Sequence, residues 1–190
     1  MELIRPERDA DSAAVRSVHI SAFPTSAEAD LVERLRASGK AVVALVALDG
    51  DSIVGHILFS PTTLEPLAGT VGLGLAPLAV LADHEKHGVG RRLVQNGLAA
   101  CHKWGAGFVV VIGDPPYYTR FGFEPAEKHG LRSEYDAGDA FMVFRLESGA
   151  LPPAGTLVKY SPEFSDLPRR PATAAAVSRR GRRPASPRRG

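Results

Sequence analysis

The sequence predicts an α/β (α+β) fold: a mixed, mostly antiparallel sheet of six or seven strands flanked by helices. Three features carry this. Two β-rich apolar runs, 41–48 and 53–60, are joined by Asp49-Gly50-Asp51, and Asp-Gly between such runs signals a hairpin. A second region, 77–112, reads as strand, glycine turn, long amphipathic helix and buried strand, the order of a βαβ unit. Ahead of both, 10–38 carries apolar residues at helical spacing.

Each element follows in order. Leu3-Ile4-Arg5 reads as a first strand stopped by Pro6. Asp9 or Asp11 can cap a helix over 10–22, with Ala14, Val15, Val18 and Ala22 along its apolar face. Phe23-Pro24-Thr25 breaks it. A second helix spans 27–38 with Ala27, Leu31 and Leu35 inward, and Gly39 ends it. Its Glu28, Asp30 and Glu33 are either solvated charges or contacts for a cationic partner. The second hairpin run holds His56 beside Gly55; Pro61 ends it, and 62–69 reads as loop. The run 70–81 is a long strand containing Gly72, Gly74 and Pro77, residues that point to a bulge or an opened edge.

Asp83 to His87 has no apolar residue and ends at Gly88-Val89-Gly90. Val89, Leu93, Val94, Leu98, Cys101 and Trp104 then recur at three- and four-residue steps on one helix face, with Arg91, Arg92 and Gln95 elsewhere. Phe108 to Ile112 is continuous and β-branched, as suits a strand buried on both faces. Gly113-Asp114-Pro115-Pro116 closes the unit, and a short helix over 117–120 leads to Gly122-Phe123. Residues 126–139 are mixed and polar, Phe141 to Leu146 is a last strand, and 148–155 reads as loop.

Composition bounds the class. At 190 residues, with 44% apolar and 23% charged residues, the chain fits one globular domain over 1–150 with some sequence left over. It has no apolar run long enough to span a membrane and no export-signal pattern at Met1 to Ser12. The single Cys101 cannot form an internal disulfide and lies on the apolar helix face, so a buried thiol in the cytoplasm is expected. The net charge of +2 conceals a split: eight of the 23 Lys+Arg fall in 168–190, which has no acid. That leaves residues 1–167 with 15 against 21 Asp+Glu, a net of −6. Residues 151–167 read as a loop-like extension, and 168–190, built from Pro, Arg, Ala, Ser, Gly, Thr and one Val, as a disordered basic tail. Such a tail can neutralise nucleic-acid phosphates or can be a bland extension; no aromatics are interleaved for stacking.

The glycine turn before the long helix is suited to an anion. A helix start presents free N–H groups and the positive end of the dipole, and glycine lets a phosphate approach without meeting a Cβ. An ordinary strand-to-helix turn is the alternative. The turn is neither a Walker A loop, since no Gly-Lys-Ser/Thr follows, nor a dinucleotide fingerprint, since Leu93 stands where a third glycine belongs.

With these residues in hand, the stretch resembles the acyl-CoA signature of the GCN5-related N-acetyltransferases, Arg/Gln-x-x-Gly-x-Gly/Ala between a bulged strand and a helix. Gly88 and Gly90 match; Glu85 departs from it. Tyr118 to Phe123 resembles the family's Tyr-x-x-x-Gly-Phe at the matching distance downstream. PLAVL…GVGRRLV…VVVIGDPPYYTRFGFEPA is similar to a bacterial subgroup of the family, over residues 2–147. The resemblance implies a V-shaped split between the fourth and fifth strands and acetyl-CoA as co-substrate, with no metal. It implies that Leu78, Ala79 and Val80 offer amides to pantetheine and thioester. Lys86, His87, Gly88, Val89, Gly90 and Arg91 would cradle the pyrophosphate, with Arg91 or Lys86 supplying the charge that Glu85 does not. The two N-terminal helices would border the acceptor.

Acyl transfer to an amine needs a polarised carbonyl, a neutral amine and a proton for the leaving thiolate. The resemblance makes Tyr118, at the tyrosine position of the family motif, the expected general acid and Tyr117 its neighbour and substitute; a phenol is protonated at pH 7. The 70–81 strand contains no acid, so the base is open among Asp114, His56, Glu28 and Glu33, or no dedicated base at all. The expected function is acetyl transfer to a primary amine by a cytoplasmic monomer or homodimer. The rivals are a non-catalytic acyl-CoA-binding module and a nucleic-acid-associated protein acting through its tail.

Overall fold

The computed structural model describes residues 3–147 and 149–167. The chain opens with β1 (Leu3–Pro6), a 3-10 turn (Asp9–Asp11), α1 (Ser12–Ala22) and α2 (Ala27–Ala37). The hairpin is β2 (Val43–Asp49) and β3 (Ser52–Pro61). Then come β4 (Thr63–Glu65), β5 (Gly72–Val80), α3 (Val89–Trp104), β6 (Phe108–Ile112) and α4 (Pro115–Tyr118). Four strands complete it: β7 (Glu124–Pro125), β8 (Arg132–Ser133), β9 (Phe141–Arg145) and β10 (Leu157–Lys159).

The main sheet has seven strands in the order β1-β2-β3-β5-β6-β9-β7, and only the β5–β6 pair is parallel. One face packs on α3 through Val43, Leu45, Ile57, Phe59, Leu73, Leu75, Leu93, Val94 and Leu98. The other packs on α1 and α2 through Val15, Leu31, Leu35, Val46, Leu58 and Val110. β6 is covered on both sides, which is why it reads as an unbroken apolar run. Cys101 is buried in the α3 face, and burial pushes its thiol far up from the ordinary range.

The pairing of β5 positions the site. Gly72, Gly74 and their neighbour Leu73 pair with Phe108 to Val110, and pairing stops there. Past that point β5 continues to Val80 with only β3 beside it, so its edge toward β6 is open. The split lies between the fourth and fifth strands in sheet order, as the family resemblance implies. On the β3 side, Ile57 pairs with Leu78 and Phe59 with Leu75, so β5 carries one extra residue around Ala76-Pro77. A proline, which has no N–H to donate, is tolerated at such a bulge.

Three expectations need correction. The 62–69 segment is not all loop, since β4 lies within it. The 151–167 stretch is not a simple loop either: β10 pairs with β4 and β8 in a second, three-stranded sheet, and a 3-10 helix follows at Pro162–Asp166. Neither Asp9 nor Asp11 makes a side-chain cap on α1. Instead Asp11 accepts from the Arg8 N–H at 2.8 Å and from the Arg5 guanidinium at 2.6 and 2.9 Å. The basic segment 168–190 lies outside the described residues.

Candidate active site

The candidate anion cradle lies where β5 hands over to α3. Leu81 leads through a 3-10 turn (Ala82–His84) and a tight turn to Gly88, which precedes the helix at φ 83°. Lys86 also has positive φ, 63°. A non-glycine residue there is uncommon and belongs to turns that point backbone N–H groups at one place. Arg92 N–H reaches back to Gly88 O at 3.0 Å, the first bond of the helix. The N–H groups of Val89, Gly90 and Arg91 have no acceptor a turn earlier, and no side chain caps the helix. Lys86, His87 and Arg91 are exposed, and Val89 is buried in the core beneath.

Two features tighten this mouth. Arg92 Nη1 lies 3.4 Å from where a Gly88 Cβ would be, so a guanidinium rests over the glycine. The Tyr117 hydroxyl lies 2.8 Å from the place of a Gly90 Cβ, and Val80 Cγ2 lies 3.7 Å from it. The mouth, the end of β5 and the tyrosine pair therefore meet at Gly90. Arg92 is absent from the expected cradle residues; its place one helical turn after Gly88 is the signal that finds it.

α4 starts at Pro115, where a proline fits the first turn, and the Asp114 carbonyl accepts from the N–H groups of Tyr117 (2.9 Å) and Tyr118 (3.1 Å). Asp114 itself is half-buried. Tyr117 and Tyr118 meet edge to face at 5.0 Å, and the Arg120 guanidinium sits 4.6 Å over the Tyr117 ring. Tyr118 is buried against Gly113, where a Cβ would fall 2.3 Å from its ring, and against Phe123. Burial, with Tyr117 and Asp114 adding to it, pushes the Tyr118 phenol well above its usual value; burial raises Tyr117 as well. Both stay protonated at neutral pH.

Leu78, Ala79 and Val80 lie on the open arm of β5, opposite Ile57, His56 and Gly55. At the base of the split, Tyr160, just past β10, packs on Gly74: a Cβ there would fall 2.5 Å from the ring. Its hydroxyl is buried beside the Ile112 backbone. The split is thus lined from the α3 face by Tyr118 and from the other by Tyr160. Nothing local in the sequence marks Tyr160, because a strand of another sheet delivers it.

The other base candidates are dispersed. Asp30 and Glu33 are both ion-paired with Arg16 of α1, at 2.9 Å each, and tie the two helices together. Glu28 is buried. His56 is buried and sits 2.8 Å from His19, a residue the sequence does not single out.

Known proteins place this geometry. The Acetyltransferase (GNAT) domain family matches residues 3–126. The N-acetyltransferase YhbS of Escherichia coli K12 is 37% identical over 165 residues, covering 86% of this chain and 98% of that one. The crystal structure of E. coli YhbS in complex with CoA superposes with a TM-score of 0.79 at 35% identity, over 86% of this chain and 91% of that one. A GNAT acetyltransferase from Brucella melitensis, in complex with acetyl-CoA, superposes with a TM-score of 0.71 at 29% identity, over 86% and 98%. The split sheet, the uncapped helix start and these matches agree: the chain belongs to the GNAT family of acetyltransferases and is an acyltransferase.

Proposed function

We propose that the protein transfers an acetyl group from acetyl-CoA to a primary amine, on a small molecule or on a protein. The observation that carries this is the open edge of β5 running into the uncapped start of α3. Two related structures bear CoA and acetyl-CoA. The residues present fit that group: the N–H groups of Val89, Gly90 and Arg91 face outward with no Cβ on Gly88 or Gly90, and Arg92 adds positive charge. Lys86, His87 and Arg91 stand around the same mouth.

In this reading amides of Leu78 to Val80 hold the pantetheine arm and polarise the thioester carbonyl. Tyr118 gives its proton to the leaving sulfur, and its raised pKa keeps it protonated for that role. Tyr117, at Gly90, is the substitute donor. Asp114 acts chiefly through its backbone, by starting the helix that carries both tyrosines.

A free-thiol release assay with acetyl-CoA over a panel of amines, polyamines, amino acids and peptides tests the reading. Turnover with at least one acceptor supports it; calorimetry showing no binding of CoA or acetyl-CoA overturns it. The buried, unpaired Cys101 supports a cytoplasmic setting. Among the described residues no helix is long and apolar enough to cross a membrane. Deleting residues 168–190 is the test of nucleic-acid binding, which should vanish at low salt if the tail carries it, with thiol release intact.

A further inference from the structure

Four side chains from four segments form a line on the α1–α2 side of the sheet. Arg36, in the last turn of α2, is ion-paired with Glu7, which follows β1. Glu7 Oε2 lies 3.3 Å from Nε2 of His56 in β3. His56 Nδ1 lies 2.8 Å from Nε2 of His19, in the last turn of α1. Both histidines are 0% exposed. The outer end of the line reaches solvent, because Glu7 and Arg36 line a cleft of about 520 Å³ together with Arg8, Ser12 and Trp104. The inner end is His19 Nδ1, buried and without a hydrogen-bond partner among the described residues.

The direction of these hydrogen bonds is set from outside. A carboxylate can only accept, so Glu7 requires the proton of His56 to sit on Nε2. A neutral His56 then has its lone pair on Nδ1, and His19 must donate to it from Nε2. A neutral His19 carries its own lone pair on Nδ1. The line therefore ends in an unused base, held in the tautomer that makes it one.

Its place matches what an acceptor amine needs. His56 is directly opposite Ala79 in the β3–β5 ladder, so the two side chains share a face. Ala79 belongs to the open arm of β5. α1 packs against both β3 and β5, while α3 and its cradle cover the other face. With α3 and its cradle on one face of β5, the face bordered by α1 is the one left for a nucleophile in this reading. The ring of Phe23, stacked 5.9 Å from His19, lies where the chain leaves α1.

We propose that His19 Nδ1 takes a proton from the attacking amine and that His56 and Glu7 pass one on to the cleft. This rests on the acetyl-transfer reading above. An ammonium acceptor starts with three N–H protons. As the C–N bond forms and the C–S bond breaks, one proton stays on the amide, one ends on sulfur through Tyr118, and one leaves. When His19 gains a proton at Nδ1 it releases the one on Nε2 to His56 Nδ1, and His56 releases its own to Glu7 and so to solvent. His19 is the residue that meets the substrate; His56 and Glu7 position and relay. The charged groups facing the line are Arg36 from α2 and Asp11 from the turn before α1. Burial, then His56 and Arg36, push the pKa of His19 well down, so it rests neutral. Burial also lowers that of His56, against the pull of Glu7.

The test has two arms on the full chain. Nitrogen-15 histidine NMR should show His19 and His56 as neutral Nε2–H tautomers, and a proton on His19 Nδ1 at rest overturns the proposal whatever the turnover. His19→Gln should lower kcat/KM about 100-fold at pH 7. The deficit should shrink as pH approaches the amine's own pKa, about 10 for an alkylamine, since the substrate then arrives deprotonated. Glu7→Gln should give a smaller deficit of the same pH shape, and CoA affinity should be unchanged in both. A deficit parallel at all pH values, or none, overturns the relay. If His19→Gln does not fold, Glu7→Gln and the NMR arm decide. Wild-type protein inert toward every amine counts against acetyl transfer; an active wild type with a pH-parallel His19→Gln counts against the relay alone.

Discussion

The hydroxyl of Tyr117 stands 2.8 Å from the point a β-carbon on Gly90 would occupy, so one hydrogen-for-methyl exchange fills the mouth of α3. The atom met is the end of a side chain, which can yield, and alanine in a helix is favoured over glycine by about 1 kcal/mol. Gly90→Ala should therefore keep or slightly raise the melting temperature. It should weaken CoA binding by calorimetry at least about tenfold, as the new methyl stands between phosphate and amide. Unchanged affinity would remove Gly90 from the cradle.

Tyr118→Phe separates chemistry from binding. The ring sits among Gly113, Phe123 and Tyr117, contacts that phenylalanine keeps. Transfer should fall about 100- to 1,000-fold, in the range of a lost general acid, with CoA affinity within about twofold of wild type. The pH profile adds a sign. Since the phenol's pKa is raised, its protonated form persists beyond the usual tyrosine value of about 10. Tyr118 should thus impose no alkaline fall in kcat below that pH, and an alkaline limb at about 8 would point to another acid.

How much of this is legible in the sequence depends on how local each signal is. Val89–Trp104 and Phe108–Ile112 can be read to the residue, because a helical stripe and a β-branched run need no partner to be seen. The bulge in β5 is signalled by Pro77 and the glycines before it. The second sheet is not legible: β4, β8 and β10 have two or three residues each, too few for a period, and find one another across long separations. Tyr160 stays hidden for the same reason. His56 is visible as a histidine in an apolar strand, but its partners Glu7 and His19 come from a loop and a helix earlier in the chain. Arg92 is excluded by its place off the apolar stripe, yet a long side chain one turn past Gly88 reaches back over it.

The contact between Gly74 and Tyr160 predicts a coupled pair. A Cβ on Gly74 would lie 2.5 Å from the ring, too close for either to stay, and the ring is packed between Tyr135 and Phe164. Gly74→Ala should cost about 1–3 kcal/mol as an overpacked core substitution. Tyr160→Leu alone leaves a void and also destabilises. The double variant should recover at least about 1 kcal/mol relative to the sum of the two, measured by urea unfolding. Additive losses would mean the two residues do not share the base of the split.

Acid should loosen the N-terminal corner first. The hydrogen bonds from Arg5 hold the Asp11 carboxyl down at about 2, helped by the Arg8 N–H and opposed by burial. An unfolded aspartate titrates near 3.9. A carboxyl with a depressed folded value favours the fold above the unfolded value and loses that contribution as pH falls through the folded one, so the window runs from about pH 5 down to about pH 2. Glu7 is shifted in the same direction: burial raises its carboxyl, and His56 and Arg36 outweigh that and lower it. Because the Arg5–Asp11 pair is partly in contact with water, its share is about 1 kcal/mol rather than the full shift. Wild-type protein should therefore lose several degrees of melting temperature between pH 6 and pH 3. Asp11→Asn should begin lower at pH 6 and lose less over the same interval. Equal slopes for the two proteins would show that the Asp11 carboxylate contributes nothing to the stability of the corner where β1 meets α1.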